Sequence, residues 1–264
     1  MRAYGCIMAV VNEIRNLFPA LSRKVYGKDL VYFDNAATSQ RSQEVIDVWN
    51  RISIVSNANI HRAVHRLADE ATQAYEASRD AVKEFINAGL REEIVFTSGA
   101  TAAVNLVAFS FGEAFVKEGD EVIVTEAEHH SNIVPWQMMC QRKGAVLKVL
   151  PVDESGHIMV DKLDDLLSEK TRIMAVTQIS NVLGIINPVK EIIGKCHSRG
   201  WLCLLTELRE WFTAMWMCRI LIVISMCFPV IRCMRQPVPE SCTERRNGWK
   251  RCLRTWEEER WWVL

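Results

Sequence analysis

The segment Thr97-Ser98-Gly99-Ala100-Thr101 follows the apolar run Ile94-Val95-Phe96 and opens a helical pattern. Gly99 permits a tight turn. The free backbone N–H groups beyond it, with the Ser98 and Thr101 hydroxyls, converge where a helix dipole favours an anion. Such a turn can cradle a phosphate; the same residues also suit an ordinary helix cap by Ser98 or Thr101. Glu126-Ala127-Glu128-His129-His130-Ser131-Asn132 sets two adjacent histidines among carboxylates. Consecutive side chains diverge and do not easily share one metal ion, so an imidazole lying flat on an aromatic ligand is the economical chemistry. A polar loop capping the next helix is the alternative.

Gln178-Ile179-Ser180-Asn181-Val182-Leu183-Gly184 ends an apolar run in polar residues and a Gly turn. Asn181 offers a neutral donor able to hold a phenolate oxygen without protonating it, and it equally suits a plain turn. In Asn59-Ile60-His61-Arg62-Ala63-Val64-His65-Arg66, His61 and His65 stand four apart and are expected to share one helix face. That face could reach into a cleft or bind a metal, but no acidic or cysteine third ligand lies at a helpful spacing.

These segments need elements to position them. Helical spacing predicts a short helix from residue 12 that ends near Pro19 or Ser22, then helices over 42–54 and 61–86, and an apolar run predicts a strand over 30–33 that enters the turn Asp34-Asn35-Ala36-Ala37-Thr38. Strands are then expected over 93–96, 121–125, 146–152, 173–179 and 201–205, alternating with helices over 101–116, 132–143, 160–167 and 188–199. Alternation at this interval implies crossovers in one mostly parallel sheet covered on both faces, a three-layer α/β/α fold. In such a sheet ligands gather at the carboxyl ends of the strands, where the segments above sit.

Composition narrows the function further. With 32 basic against 32 acidic residues, the 264-residue chain lacks the electrostatic footprint of a nucleic-acid binder, and a small neutral or zwitterionic partner fits better. Cys6, Cys140, Cys196 and Cys203 have no paired spacing and read as buried reduced thiols, consistent with a cytoplasmic protein. Residues 1–11 carry a short apolar run without a small-residue cleavage site, so no secretion signal is expected.

Tyr32-Phe33-Asp34-Asn35-Ala36-Ala37-Thr38, Asn59-Ile60-His61-Arg62, Phe96-Thr97-Ser98-Gly99-Ala100-Thr101 with Asn105-Leu106, Glu128-His129-His130-Ser131-Asn132 with Pro135-Trp136, and Ser180-Asn181-Val182-Leu183-Gly184 follow one another in the chain. Taken in this order over residues 12–205, they resemble the SUF-type cysteine desulfurases of the class V aminotransferase family. The resemblance implies a fold-type I pyridoxal-phosphate (PLP) enzyme. Such an enzyme takes sulfur from L-cysteine, releases alanine, and passes a persulfide to an acceptor protein for iron–sulfur cluster assembly. By the same resemblance Ala100 and Thr101 hold the PLP phosphate, His129 stacks on the pyridine ring, and Asn181 meets the phenolic oxygen. Ala36, His61 and Arg62 lie near the substrate, the molecule is a homodimer, and residues 1–30 precede a large PLP-binding domain over 31–205.

After Leu205 the pattern breaks. The family's strand should end in Asp-Gly-Ala-Gln, whose Asp pairs with the pyridinium nitrogen; here stands Leu205-Thr206-Glu207-Leu208-Arg209. A Ser-Gly-His-Lys segment with the Schiff-base lysine should follow, and at the corresponding distance stands Phe228-Pro229-Val230-Ile231-Arg232. Arg232 cannot replace a lysine, because its guanidinium does not deprotonate. Cys218, Cys227, Cys233, Cys242 and Cys252 form no recognisable persulfide loop.

The tail from residue 206 holds six of the nine Trp and five of the nine Cys, one Gly, one Lys and no Asp, His or Tyr. Such a switch at one point is what a shifted reading frame would produce. Taken at face value, residues 211–231 are apolar enough for a bilayer span, although Arg219 near the centre would cost about 2.5–3.5 kcal/mol. The basic, Trp-interleaved stretch 245–264 is expected to be poorly folded rather than a nucleic-acid patch. As written, the chain is expected to be an inactive desulfurase by descent. The alternatives are a non-catalytic PLP-binding or dimerising fragment, or a relative of selenocysteine lyase or cysteine sulfinate desulfinase.

Overall fold

The computed structural model describes residues 11, 13–35, 38–86 and 88–206 in full, and residues 207, 220–225 and 229–232 as backbone. The chain divides into two compact units, Met1–Ala81 and Val82–Leu264.

In the first unit the helix expected from residue 12 is helical over 13–16 and ends before Pro19, the earlier of its two expected ends, with a 3-10 turn at Pro19–Ser22. Pro19 has no N–H to give and disfavours a helical residue before it, so the α-helix stops there. Arg15 fastens the segment, its guanidinium donating to the carbonyls of Leu21 at 2.7 Å and Leu30 at 2.6 Å. A hairpin of β1 (Lys24–Val25) and β2 (Lys28–Asp29) follows, its turn made by Tyr26 at φ 53° and Gly27 at φ 76°. Two central residues at positive φ make a tight turn whose twist matches the strands.

The strand expected over 30–33 does not form. Val31 and Phe33 are exposed, and the run has no ladder partner among the described residues. Helix α1 (Gln43–Val55) matches its expectation within a residue, while α2 (Arg66–Phe85) starts later than 61. His65 caps α2, its Nδ1 accepting the Ala68 N–H at 3.2 Å, which holds residues 61–65 off the helix.

The second unit is built on a seven-stranded sheet. Its strands are β3 (Ile94–Phe96), β4 (Glu121–Thr125), β5 (Val146–Leu150), β6 (Thr171–Thr177), β7 (Leu202–Glu207), β8 (Ile220–Ser225) and β9 (Pro229–Arg232), in the order β3-β9-β8-β7-β6-β4-β5. The pairs β5–β4, β4–β6, β6–β7 and β7–β8 are parallel, and β9 is antiparallel to both β8 and β3. Two reversals cancel, so β3 points the same way as β4 to β8. Residues 220–225, part of the stretch considered as a bilayer span, are a strand on β7 instead of a helix. Among the described residues no helix is long and apolar enough to cross a membrane.

Side chains alternate along each strand and so supply two cores. Val122, Val124, Ile173, Ala175 and Leu204 face α3 (Ala100–Phe115) and α4 (Val134–Lys143). Ile123, Met174, Val176, Cys203 and Leu205 face α5 (Leu163–Leu166) and α6 (Val189–Ser198). The class is the expected three-layer α/β/α with a mostly parallel sheet. Cys140, Cys196 and Cys203 are buried free thiols, as their scattered spacing implies; Cys6 lies outside the described residues.

Helices α3 and α4 are in close contact where Gly112 meets Met139: a Cβ at Gly112 would stand 2.5 Å from Met139 Cγ. Met139 is buried and cannot swing clear. Gly112→Val should therefore lower stability by about 1–3 kcal/mol through overpacking. Combined with Met139→Ala, the loss in urea midpoint should be smaller than the sum of the two single losses; strict additivity would mean that the two helices do not touch there.

Candidate functional site

β3, β4 and β6 run in one direction, so the loops leaving their carboxyl ends lie on one rim of the sheet. These loops carry Gly99 to Thr101, Glu128 to Asn132, and Ser180 to Gly184.

The first intrahelical bond of α3 runs from Ala103 N–H to Gly99 C=O at 2.9 Å, and no side chain caps the turn. The expected alternative, a cap by Ser98 or Thr101, is not what forms. Thr97 Oγ1 donates to the Gly99 carbonyl at 3.1 Å, and the Thr101 carbonyl accepts from Asn105 Nδ2 at 2.8 Å. The N–H groups of Ala100, Thr101 and Ala102 thus stand ahead of the ladder at the positive end of a sixteen-residue helix. A Cβ on Gly99 would meet nothing within 4 Å, so the space above the turn is open.

His129 is exposed and begins the 3-10 turn His130–Asn132, which packs against α3. Its Nδ1 accepts the Ser131 N–H at 3.1 Å and lies 2.8 Å from Ser131 Oγ. An Nδ1 that accepts leaves the neutral ring's proton on Nε2, so one hydrogen bond fixes both tautomer and ring direction. His130 stands edge-on, with ring centroids 5.9 Å apart at 86°, and the two imidazoles do not face one point. Among the described residues no group of His, Cys, Asp and Glu is arranged to hold a metal ion.

Behind His129 lies a residue whose role the sequence reading missed. Glu128 is buried, its Oε1 accepting from Thr125 Oγ1 at 2.7 Å and from the Thr177 N–H at 2.8 Å. Its Oε2 accepts from Asn132 Nδ2 at 2.7 Å, and Asn132 Oδ1 accepts from the fully buried Trp136 indole at 3.1 Å. The network ties the end of β4 to the end of β6 and to the start of α4. Burial pushes the Glu128 carboxyl up to about 7, against the lowering effect of its donors Asn132, Thr125 and Thr177. The signal available in the sequence was Trp136 four residues after Asn132, itself four after Glu128, a polar ladder leading into a buried indole.

Asn181 is exposed in a turn closed by Gly184 N–H to Ser180 O at 2.9 Å and Ser180 N–H to Ile185 O at 3.0 Å. Gly184 has φ 68°, the left-handed conformation the turn requires. Asn187 braces the loop, its Nδ2 donating to the Thr177 carbonyl at 2.8 Å. Beside it the Thr206 carbonyl of β7 accepts the Gln178 N–H at 3.0 Å.

In the first unit His61 has φ 62° and precedes α2, so His61 and His65 do not share a helix face; the late start of the helix overturns that expectation. His61 Nε2 lies 3.1 Å from Glu76 Oε1, and its ring stands edge-on to Tyr75. Its N–H donates to Thr72 Oγ1 at 3.1 Å. Arg62 is exposed. Ala36 lies outside the described residues, as do Cys218, Cys227, Cys233, Cys242 and Cys252. Arg232, at the position expected for a lysine, contributes backbone to β9.

The class-V aminotransferase family model matches residues 31–206. A cysteine desulfurase of Synechococcus elongatus is 48% identical over 196 residues, which cover 74% of this chain and 31% of that protein. A probable cysteine desulfurase of Halalkalibacterium halodurans is 48% identical over 189 residues, 72% of this chain and 47% of that one. The chain thus spans half or less of the length of these curated relatives. The crystal structure of the cysteine desulfurase CsdA from Escherichia coli superposes with a TM-score of 0.69 at 30% identity, covering 84% of this chain and 57% of that chain. The apo cysteine desulfurase of Thermococcus onnurineus NA1 gives 0.73 at 29% identity, covering 88% and 58%.

The raised Glu128 carboxyl sets a pH dependence. Below pH 4.5 the group is protonated in both states; between 4.5 and about 7 the unfolded chain ionises it while the folded chain keeps the proton. Stability should therefore fall as pH rises through that window, by up to about 3 kcal/mol. Glu128→Gln should lack this component of the slope, and identical urea-midpoint profiles for the two proteins would refute the assignment.

Proposed function

This chain belongs to the class-V aminotransferase family, and from that premise we propose that it descends from a PLP-dependent cysteine desulfurase, keeping the cofactor-holding rim without the groups that react on it. The observation that carries this reading is the uncapped, open N-terminus of α3 on the same rim as His129 and Asn181. A phosphate fits such a turn, since three N–H groups and the helix dipole meet a dianion without a competing side chain. His129, with its ring held from Ser131, presents a flat face for an aromatic ring, and Asn181 supplies a neutral amide for a ring oxygen.

When bound, PLP supplies an electron-poor ring that draws electrons from the substrate's α-carbon. The residues of this chain bind and orient that ring. Ala100 and Thr101 take the phosphate, His129 covers one face, and Glu128 keeps the His129 loop docked on the end of β6. His61, Arg62 and Ala36 are proposed for the substrate side. The expected acid beside the pyridine nitrogen and the lysine that would anchor the cofactor and move the α-proton have no counterpart at their positions, and Arg232 can do neither task. The substrate proposed for the lineage is L-cysteine, with a sulfur-acceptor protein, iron–sulfur cluster assembly, a homodimeric state and the cytoplasm as its setting. The polypeptide as written binds PLP without turning over L-cysteine.

Equilibrium dialysis with PLP tests this. Saturable binding that inorganic phosphate competes away is expected, with no alanine formed from L-cysteine. Gly99→Val, which fills the open space of the cradle, should weaken binding at least about tenfold, and His129→Ala should weaken it roughly fivefold for the loss of about 1 kcal/mol of ring contact. Binding that never saturates, or that ignores Gly99→Val, would overturn the reading.

A further inference from the structure

The family match ends at residue 206, the position at which composition changes. The genetic code limits what the residues from that position onward can encode in another frame. In the frame displaced by one base, each codon consists of the third base of one residue and the first two bases of the next, so each junction permits only a handful of amino acids. Leu205-Thr206-Glu207-Leu208-Arg209 can be written CTG ACG GAG CTC AGG. Displaced, the same bases read GAC GGA GCT CAG, which is Asp-Gly-Ala-Gln. Phe228-Pro229-Val230-Ile231-Arg232 can be written TTT CCG GTC ATA AGG. Displaced in the same direction, these read TCC GGT CAT AAG, which is Ser-Gly-His-Lys.

One displaced frame permits both motifs, each at the place where the in-frame chain lacks it. The other displaced frame cannot supply the first: an Asp codon needs a leading G, and across residues 205–209 only the Arg209 codon offers one, followed by a codon for Glu210 that turns it into an ending in G. Where codons are unique the reading is not optional. Met215-Trp216-Met217-Cys218 must be ATG TGG ATG followed by TG, which displaced is Val-Asp-Val whatever the organism's codon usage. This restores an aspartate to a tail that contains none. No junction between residues 206 and 264 forces a stop.

We propose that the nucleic acid encoding residues 206–264 is the family's own coding sequence read one base out of frame after the loss of a base at or beside codon 205. The catalytic lysine is thus encoded across the Ile231 and Arg232 codons. The inference deepens the functional reading above and rests on it only for the role of that lysine. It also accounts for the wealth of Trp and Cys: in this frame TGG and TGY arise wherever a family codon ending in TG precedes one beginning with G, T or C.

Sequencing genomic DNA and transcript across codons 205–232 decides the matter. The expected result is an Asp-Gly-Ala-Gln reading over the junctions 205–209 and a Ser-Gly-His-Lys reading over the junctions 228–232, both in the displaced frame. Any other residue at the Asp or Lys junction, or a stop between them, overturns the proposal. A gene with one base inserted at codon 205 should then yield a chain that borohydride fixes covalently to PLP on the lysine of Ser-Gly-His-Lys, located by peptide mass spectrometry. Matching codons without that adduct would sink the functional reading and leave the frame inference standing, so the two failures are distinct.

Discussion

A carboxylate buried at the rim of a sheet must collect donors from whatever surrounds it, and Glu128 collects them from three elements at once. Thr125 belongs to β4, the Thr177 N–H to β6, and Asn132 to the turn before α4. Leaving a buried charge short of a donor costs more than any one of these bonds contributes, so the three elements are held to a common geometry. His129 follows Glu128 directly in the chain and inherits that position. Its own ring is then set by Ser131, one bond further out. The exposed group that can touch a ligand is in this way carried by a buried one that cannot.

The parallel direction of β3, β4 and β6 does for the loops what Glu128 does for one side chain. Once the strands agree in sense, their carboxyl ends share a rim without any loop being told where to go. The opposite rim is used differently. There Asp120 pairs with Arg172 at 2.7 Å, and Glu121 pairs with Lys148 at 2.7 Å and takes a hydrogen bond from Ser168 at 2.6 Å. Charges at that end hold β4, β5 and β6 together, whereas the rim that bears Gly99, His129 and Asn181 leaves the first N–H groups of α3 without a side-chain cap.

The period-two and helical patterns made the second unit legible, because a sheet buried on both faces writes its apolar runs plainly: β4 and α6 fall within a residue or two of their expected bounds. The cradle and the His129 and Asn181 loops followed from those strand ends. Three features were hidden for physical reasons. The β1–β2 turn uses Tyr26 at positive φ, a residue type that carries no turn signal. Helix α2 is capped by His65, outside the usual capping set, so residues 61–65 looked helical. Glu128 looked like any loop carboxylate, since burial is a property of what closes over a residue and not of the residue.

The place of β9 in the sheet has a temporal side. Among the described residues β3 reaches the other strands only through β9, although residues 94–96 leave the ribosome long before residues 229–232. β4, β5, β6 and β7 can assemble as they emerge, each joining a strand already made. The strand that leads into the Gly99 turn cannot, and must wait, edge unpaired, for a late segment to slot in beside it, which is the slow and aggregation-exposed kind of contact. The change of coding register proposed downstream of residue 205 would thus do more than delete distal groups. It would alter the sheet partner that, among the described residues, an early-synthesised strand depends on, and so carry its effect back toward the front of the protein.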